Sequence, residues 1–151
     1  MATVFQINTS PGGLPKLPIT EAFVGETKVG EDGHNYKGHG GPNAAVCLFS
    51  LERVLALQAV GHPVFPGALG ENLTITGLEW EQLQAGTKLQ VGDEVQLEIV
   101  SFATPCPKLK PYLTDIMAVS QEQRPGWARP YCKVLQNGTV RIGDAVRIIA
   151  G

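Results

Sequence analysis

Leu89-Gln90-Val91-Gly92-Asp93-Glu94-Val95-Gln96-Leu97 alternates apolar and polar side chains on either side of a Gly-Asp pair. That is the period of a half-buried strand, a turn, and a second half-buried strand. A near copy follows about fifty residues later, as Val140-Arg141-Ile142-Gly143-Asp144-Ala145-Val146-Arg147-Ile148. Two copies fall short of the roughly three a repeat array needs, so the pair reads as two similar hairpins of one barrel. The alternation continues over Glu94–Ser101, with Val95, Leu97 and Ile99 on one face and Gln96 and Glu98 on the other. Met1–Ile7 also reads as a strand. Turn residues stand between such segments throughout, for the chain holds 18 glycines and 11 prolines.

One helix interrupts this pattern. Ser50 can cap it, Glu52 lies in its first turn, and Leu51, Val54, Leu55 and Gln58 follow at helical spacing before Gly61 and Pro63 stop it. A weaker helical pattern covers about Leu113 to Gln123. No composition shift divides the chain, so residues 1–151 are read as a single domain. The expected class is mainly β (α+β), a barrel or curved sheet with one or two flanking helices.

Composition excludes several functions. The chain has 151 residues, 43% of them hydrophobic, and a net charge of −2. Such a chain can build a core, and it offers no basic face for nucleic acid. No apolar run reaches the roughly 18–20 residues of a membrane-spanning helix. The first residues lack the basic, apolar, then small order of a secretory signal, so a cytoplasmic location is expected. The three cysteines, Cys47, Cys106 and Cys132, are odd in number and form no C-x-x-C pair. A disulfide framework and a structural zinc site are both disfavoured.

The question becomes which thiol reacts. In Thr104-Pro105-Cys106-Pro107-Lys108, Pro107 keeps Cys106 out of the helical region and Pro105 has its own φ fixed. If the segment stays extended, Lys108 points to the same side as the thiol and favours the thiolate, the form that attacks electrophiles and binds metals. A buried structural cysteine is the equal alternative on the residues alone. Cys47, between Val46 and Leu48-Phe49, reads as core; Cys132 lies in a strand-like segment whose facing is open.

Three loops carry further polar candidates. In Gly38-His39-Gly40-Gly41-Pro42-Asn43, glycines permit close approach to backbone N–H groups, and His39 can donate a hydrogen bond or bind metal. In Gly67-Ala68-Leu69-Gly70-Glu71-Asn72-Leu73-Thr74, a carboxylate and an amide stand where a loop enters a strand, a pairing suited to a ring edge with donors and acceptors. In Gly12-Gly13-Leu14-Pro15-Lys16-Leu17-Pro18, Lys16 can reach a phosphate. Each is weak alone, and an ordinary solvated turn is the stronger local reading. Asp32, His34 and Lys37 read equally well as surface residues.

Taken in order, His39-Gly40-Gly41-Pro42-Asn43-Ala44-Ala45-Val46, Gly70-Glu71-Asn72-Leu73, Gly92-Asp93, Pro105-Cys106 and Gly143-Asp144 resemble the MOSC family, the domains named after the C-terminal part of molybdenum cofactor sulfurases. The resemblance runs from about Lys16 to Ile148. It implies a β-barrel-like fold and a link to the molybdenum cofactor (molybdopterin). By the same resemblance, Cys106 is the catalytic cysteine that carries sulfur or ligates molybdenum. Lys16, His39, Gly40, Gly41, Asn43, Glu71, Asn72 and Lys108 are then the cofactor-binding candidates. The implied activity is reduction of a small oxidised substrate, such as an N-hydroxylated compound, or sulfur transfer of the kind linked in this family to pyridoxal phosphate enzymes. A non-catalytic cofactor or pterin carrier is the alternative. With no room for an iron–sulfur or flavin domain, sulfur or electrons would come from a protein partner. Asn43 stands where many members carry Asp, Glu31-Asp32 replaces a Gly-Asp pair, and Lys110–Arg129 has no clear counterpart.

Overall fold

The computed structural model describes residues 1–33 and 41–150. Ten strands lie among them: β1 (Ala2–Thr9), β2 (Leu17–Ile19), β3 (Glu21–Val24), β4 (Val46–Ser50), β5 (Leu73–Thr76), β6 (Lys88–Val91), β7 (Val95–Phe102), β8 (Pro130–Gln136), β9 (Gly138–Arg141) and β10 (Ala145–Ala150). The α-helix, α1, is Leu51–Ala59. Seven strands close a barrel in the order β10-β6-β7-β8-β4-β5-β1, and β10 pairs back onto β1. β2 extends the sheet beyond β1, and β3 and β9 form a separate two-stranded ribbon.

Alternation sorts the side chains as the pattern predicts. Val4, Ile7, Val46, Leu48, Leu73, Ile75, Leu89, Leu97, Ile99 and Cys132 fill the barrel. On β4 the next face is buried too: Phe49 leaves the barrel core and joins a second apolar cluster with Val54 and Leu57 of α1, Val64, Leu69, Leu109, Leu113 and Val119. β4 is thus the partition between two cores. It pairs in parallel with β5 and antiparallel with β8, and it lacks a polar face because both of its faces are covered. Ser50 caps α1, its Oγ accepting the Arg53 N–H at 3.1 Å. The helix ends at Val60 and Gly61, the latter at φ +98°.

Two expectations need correction. Leu89–Leu97 is a hairpin, with Leu89 opposite Leu97 and Val91 opposite Val95. Its near copy is not. β9 pairs with β3, and β10 swings away to sit between β6 and β1. Asp144 makes the corner: its Oδ2 accepts the Arg141 N–H at 2.8 Å, while Gly143 N–H donates to the Val4 carbonyl at 2.8 Å. With both edges engaged, β10 has no ladder left for β9. The second correction concerns 113–123, which forms only a 3-10 turn over Ile116–Val119. Asp115 starts it by accepting the Met117 N–H at 2.9 Å, and Leu113, Ala118 and Val119 pack individually into the second cluster. The segment is tied to α1 at Trp127, over whose ring stand the guanidinium groups of both Arg53 (4.4 Å) and Arg124 (3.9 Å). No helix among the described residues is long and apolar enough to cross a membrane.

Candidate functional site

The polar residues singled out from the sequence gather on the outer face of the β8-β4-β5-β1 wall. Strand parity places them there: Asn8 alternates with inward Ile7, Asn72 and Thr74 with Leu73 and Ile75, Cys47 with Val46 and Leu48.

Asn72 stitches three strands together. Its backbone carbonyl accepts the Asn8 N–H at 2.7 Å and its N–H donates to the Cys47 carbonyl at 2.8 Å. Its side-chain Oδ1 accepts the Cys47 N–H at 2.9 Å. Both Nδ2 hydrogens are engaged, one with the Asn8 carbonyl at 3.3 Å and one with Asp32 Oδ2 at 2.9 Å. Asp32 is buried, not superficial: Oδ1 accepts the Ser10 N–H at 2.9 Å, and Oδ2 pairs with the Lys16 ammonium. Lys16 is itself only 8% exposed. A charge pair so far from water holds together because each partner compensates the other.

Glu71 has no exposed surface. Its Oε2 accepts from Gly67 N–H and Thr74 Oγ1, both at 3.0 Å, and its Oε1 has no partner. Burial pushes its carboxyl above the ordinary range, against the pull of these hydrogen bonds and of Arg129. The loop it holds must contain glycine at 67: φ is +91°, and a Cβ there would lie 2.4 Å from the Lys16 carbonyl oxygen. That carbonyl's residue also donates its own N–H to Gly67 O at 2.9 Å. Lys16, Glu71 and Asn72 therefore belong to one frame.

Cys106 reaches the same wall on an arm leaving β7. Ala103 N–H donates to the Arg129 carbonyl at 2.8 Å, and three residues on Cys106 is extended, at φ −135° and ψ 162°. The extended backbone stops there. Pro107–Leu109 form a 3-10 turn closed by Leu109 N–H to the Cys106 carbonyl at 3.0 Å. The expectation that Lys108 shares the thiol's side through an extended segment therefore fails. Lys108 instead lines a cleft of about 360 Å³ with Gly13, Leu14, Pro107, Pro111 and Tyr112. Tyr112 stands edge-on to Phe65, centroids 5.6 Å apart.

The three thiols are unlike. Cys106 is half-buried, whereas Cys47 and Cys132 are buried. Burial pushes Cys47 up to about 11, with the Arg129 guanidinium the main opposing influence, and pushes Cys132 well above the ordinary thiol value. Tyr131, opposite Cys47 on β8, is also raised, by burial first and then by the Cys47 and Cys106 thiols, with Arg129 opposing. Cys106 is thus the thiol with access to solvent.

Of the remaining expected residues, Gly41 is at φ +77° and donates its N–H to the Thr27 carbonyl at 3.1 Å. Asn43 is exposed in the turn before β4. His39 and Gly40 lie outside the described residues. Among the described residues no three His, Cys, Asp or Glu side chains gather to hold a metal. Sequence reasoning missed Arg129 and Tyr131 and underrated Asp32. The only signal for Arg129 and Tyr131 was strand parity around Cys132, which could not be used while its facing was open.

Comparison with known proteins adds three findings. The model of the MOSC domain matches residues 35–147. The uncharacterized YflK protein of Bacillus subtilis (strain 168) is 28% identical over 141 residues, 91% of this chain and 63% of YflK. A protein named "Reductase" from Gibberella moniliformis is 30% identical over 131 residues, 84% of this chain and 23% of that protein. The chain therefore spans less than two thirds of either relative. The crystal structure of YiiM from Geobacillus stearothermophilus superposes with a TM-score of 0.78 at 24% identity, covering 99% of this chain and 75% of that one. That likeness is one of fold.

Proposed function

Because the chain belongs to the MOSC domain family, we propose that it binds the molybdenum cofactor, with the Cys106 thiolate as the protein's ligand to molybdenum. The observation that carries this reading is the contrast among the thiols: Cys106 alone is half-buried, on an arm fixed to the site wall. A thiolate suits a soft metal. The unpartnered buried atoms Glu71 Oε1 and Arg129 Nε fit a site made for a polar group. When bound, the cofactor supplies a metal centre able to exchange electrons and an oxygen or sulfur atom with a substrate.

The chain's own residues do the holding. Cys106 presents its sulfur from a proline-stiffened backbone. Asp32 neutralises Lys16, so Lys16 acts through the loop it fixes, and Asn72 and Glu71 keep that loop against β1 and β4. Gly41 and Asn43 stand in the segment before β4. Lys108 sets a cation at the cleft beside Cys106, where a small oxidised substrate enters. The name of the Gibberella relative supports reduction as the reaction, with electrons from a separate protein; sulfur transfer through Cys106 is the other use of the same thiol. A carrier without turnover is the alternative use of the same site.

The test is expression in cells that make molybdenum cofactor, with metal measured by mass spectrometry beside Cys106→Ser. Molybdenum in the parent and its loss from the variant is the expected result. Parental molybdenum and turnover in Cys106→Ser would overturn the assignment. Bound molybdenum with no turnover of N-hydroxylated substrates under a chemical reductant would leave the carrier.

A further inference from the structure

His62 stands where the chain leaves α1, its backbone N–H donating to the Leu57 carbonyl at 3.1 Å. The residue is 9% exposed. Its Nδ1 accepts the Thr114 N–H at 3.0 Å, and Thr114 Oγ1 lies 3.1 Å from the same nitrogen. A backbone N–H only donates, so Nδ1 carries a lone pair and the neutral ring keeps its proton on Nε2. This bond joins residues 61–66 to the turns that run from Cys106 to Thr114. The first segment is held on α1 by Gln58, whose Nε2 donates to the Val64 carbonyl at 2.9 Å. In the second, Leu109 N–H donates to the Cys106 carbonyl at 3.0 Å, and the Tyr112 and Leu113 N–H groups donate to the Leu109 carbonyl at 2.9 and 3.0 Å. Phe65 against Tyr112 ties the same two segments together. Tyr112 is a wall of the cleft beside Cys106, with Leu14, Pro107 and Pro111.

Protonation reverses the role of Nδ1. A charged imidazole donates from both nitrogens and accepts at neither. Thr114 Oγ1 is then the acceptor at hand. The Thr114 N–H, left facing a donor, turns to water, which it can reach because Thr114 is exposed. Histidine is the side chain that ordinarily changes charge between about pH 5 and 8. The charged groups of the two segments are few. The last turn of α1 has no basic side chain, and its C-terminal carbonyls attract a cation. Residues 61–66 carry no other ionisable side chain. The facing turn brings Lys108, Lys110 and Asp115, and Asp115 Oδ1 accepts the Met117 N–H at 2.9 Å.

We propose that His62 is a positioning residue for the cleft, and that its protonation exchanges the tie to the Thr114 backbone for one to the Thr114 hydroxyl and so loosens the Tyr112 wall. Use of the cleft by a substrate rests on the function proposed above. The exchange of partners at Thr114 does not.

The experiment is amide hydrogen exchange at Thr114 in the full chain, free of cofactor, followed by NMR from about pH 8 to about pH 5 and corrected for the intrinsic rate. His62→Asn is measured beside the parent, because its Oδ1 offers an acceptor at the δ position that does not titrate. In the parent, Thr114 protection should fall about tenfold on acidification, the factor that about 1.4 kcal/mol carries. The Tyr112 ring resonances should shift over the same range. In His62→Asn the protection should hold throughout. Parental protection that does not change, or that falls equally in His62→Asn, overturns the proposal. Should His62→Asn not fold, the ring nitrogens of the parent decide. A lone pair on Nδ1 at the alkaline end, taking up a proton as the Thr114 amide signal moves, supports the exchange; a static Thr114 signal while the ring charges overturns it. Cofactor-loaded chain then tests the cleft, with an N-hydroxylated substrate and a chemical reductant. The parent's KM should rise on acidification relative to that of His62→Asn, with kcat following one course in both; equal KM profiles overturn the positioning role. Absence of turnover in both would count against the reading of Cys106 and leave the Thr114 exchange to decide this proposal.

Discussion

Replacing Asp32 by asparagine should destabilise the chain far more than loss of a single surface contact would. The Lys16 and Asp32 side chains are 9% and 0% exposed, so their pairing is not shared with solvent. The introduced amide would still accept the Ser10 N–H through its oxygen. Its nitrogen, a donor, would then face two further donors, the Lys16 ammonium and Asn72 Nδ2, at a position that now holds an acceptor. Removing one member of a buried pair costs about 3–5 kcal/mol, because the other charge is left uncompensated. For a chain of this size each kcal/mol moves Tm by about 2–4 °C, so a loss of roughly 6–20 °C is expected. The assay is thermal and urea denaturation of the parent, Asp32→Asn, Lys16→Met, and the double variant, followed by tryptophan fluorescence and circular dichroism. In the double variant the orphaned charge is gone, and it should be more stable than Asp32→Asn alone. A loss below about 1 kcal/mol, the value of an exposed pair, would refute the reasoning. So would a double variant no more stable than Asp32→Asn.

Two further outcomes follow from the same wall. Glu71 has a folded pKa above the ordinary 4.5, so the folded chain keeps a proton that the unfolded chain releases; its contribution is full below that ordinary value and is lost as pH rises through the folded one. Glu71→Gln should flatten that fall in urea midpoints between acid and neutral pH, and a slope equal to the parent's would show that Glu71 is not its source. Iodoacetamide on the native chain near neutral pH should add one label, at Cys106, with Cys47 and Cys132 labelled only after denaturation; peptide mass spectrometry finding Cys47 labelled first would contradict its burial and its pKa of about 11.

Where a segment's own period decided its state, the sequence was legible. Leu89–Leu97 alternated because one face lines the barrel, and Ser50 announced α1 through its cap. Reading failed where partners from elsewhere decided. Val140–Ile148 has the same local pattern as the true hairpin, but β3, β6 and β1 take its edges. Leu113, Ala118 and Val119 are apolar at spacings a helix would share, yet each fills the second cluster from an irregular backbone. The site divided likewise. Lys16, Glu71, Asn72 and Cys106 stood in glycine- or proline-framed segments that mark unusual backbone. Asp32 looked like any polar loop residue until Lys16 was found against it, and Arg129 lay in a stretch with no pattern, its burial fixed by Leu69 and Ala103.

The barrel closes on a narrow seam. β10 meets β1 through only two residue pairs, Ala2 with Val146 and Thr3 with Ala145, against six between β7 and β8. Strands far apart in the sequence must therefore find each other before the ring exists. A nascent chain that has not yet released β10 from the ribosome holds an open sheet, with β6 and β1 offering free ladders to any neighbouring strand. Synthesis of this fold thus passes through a period of exposure to mispairing that ends only when β10 pairs with both β6 and β1.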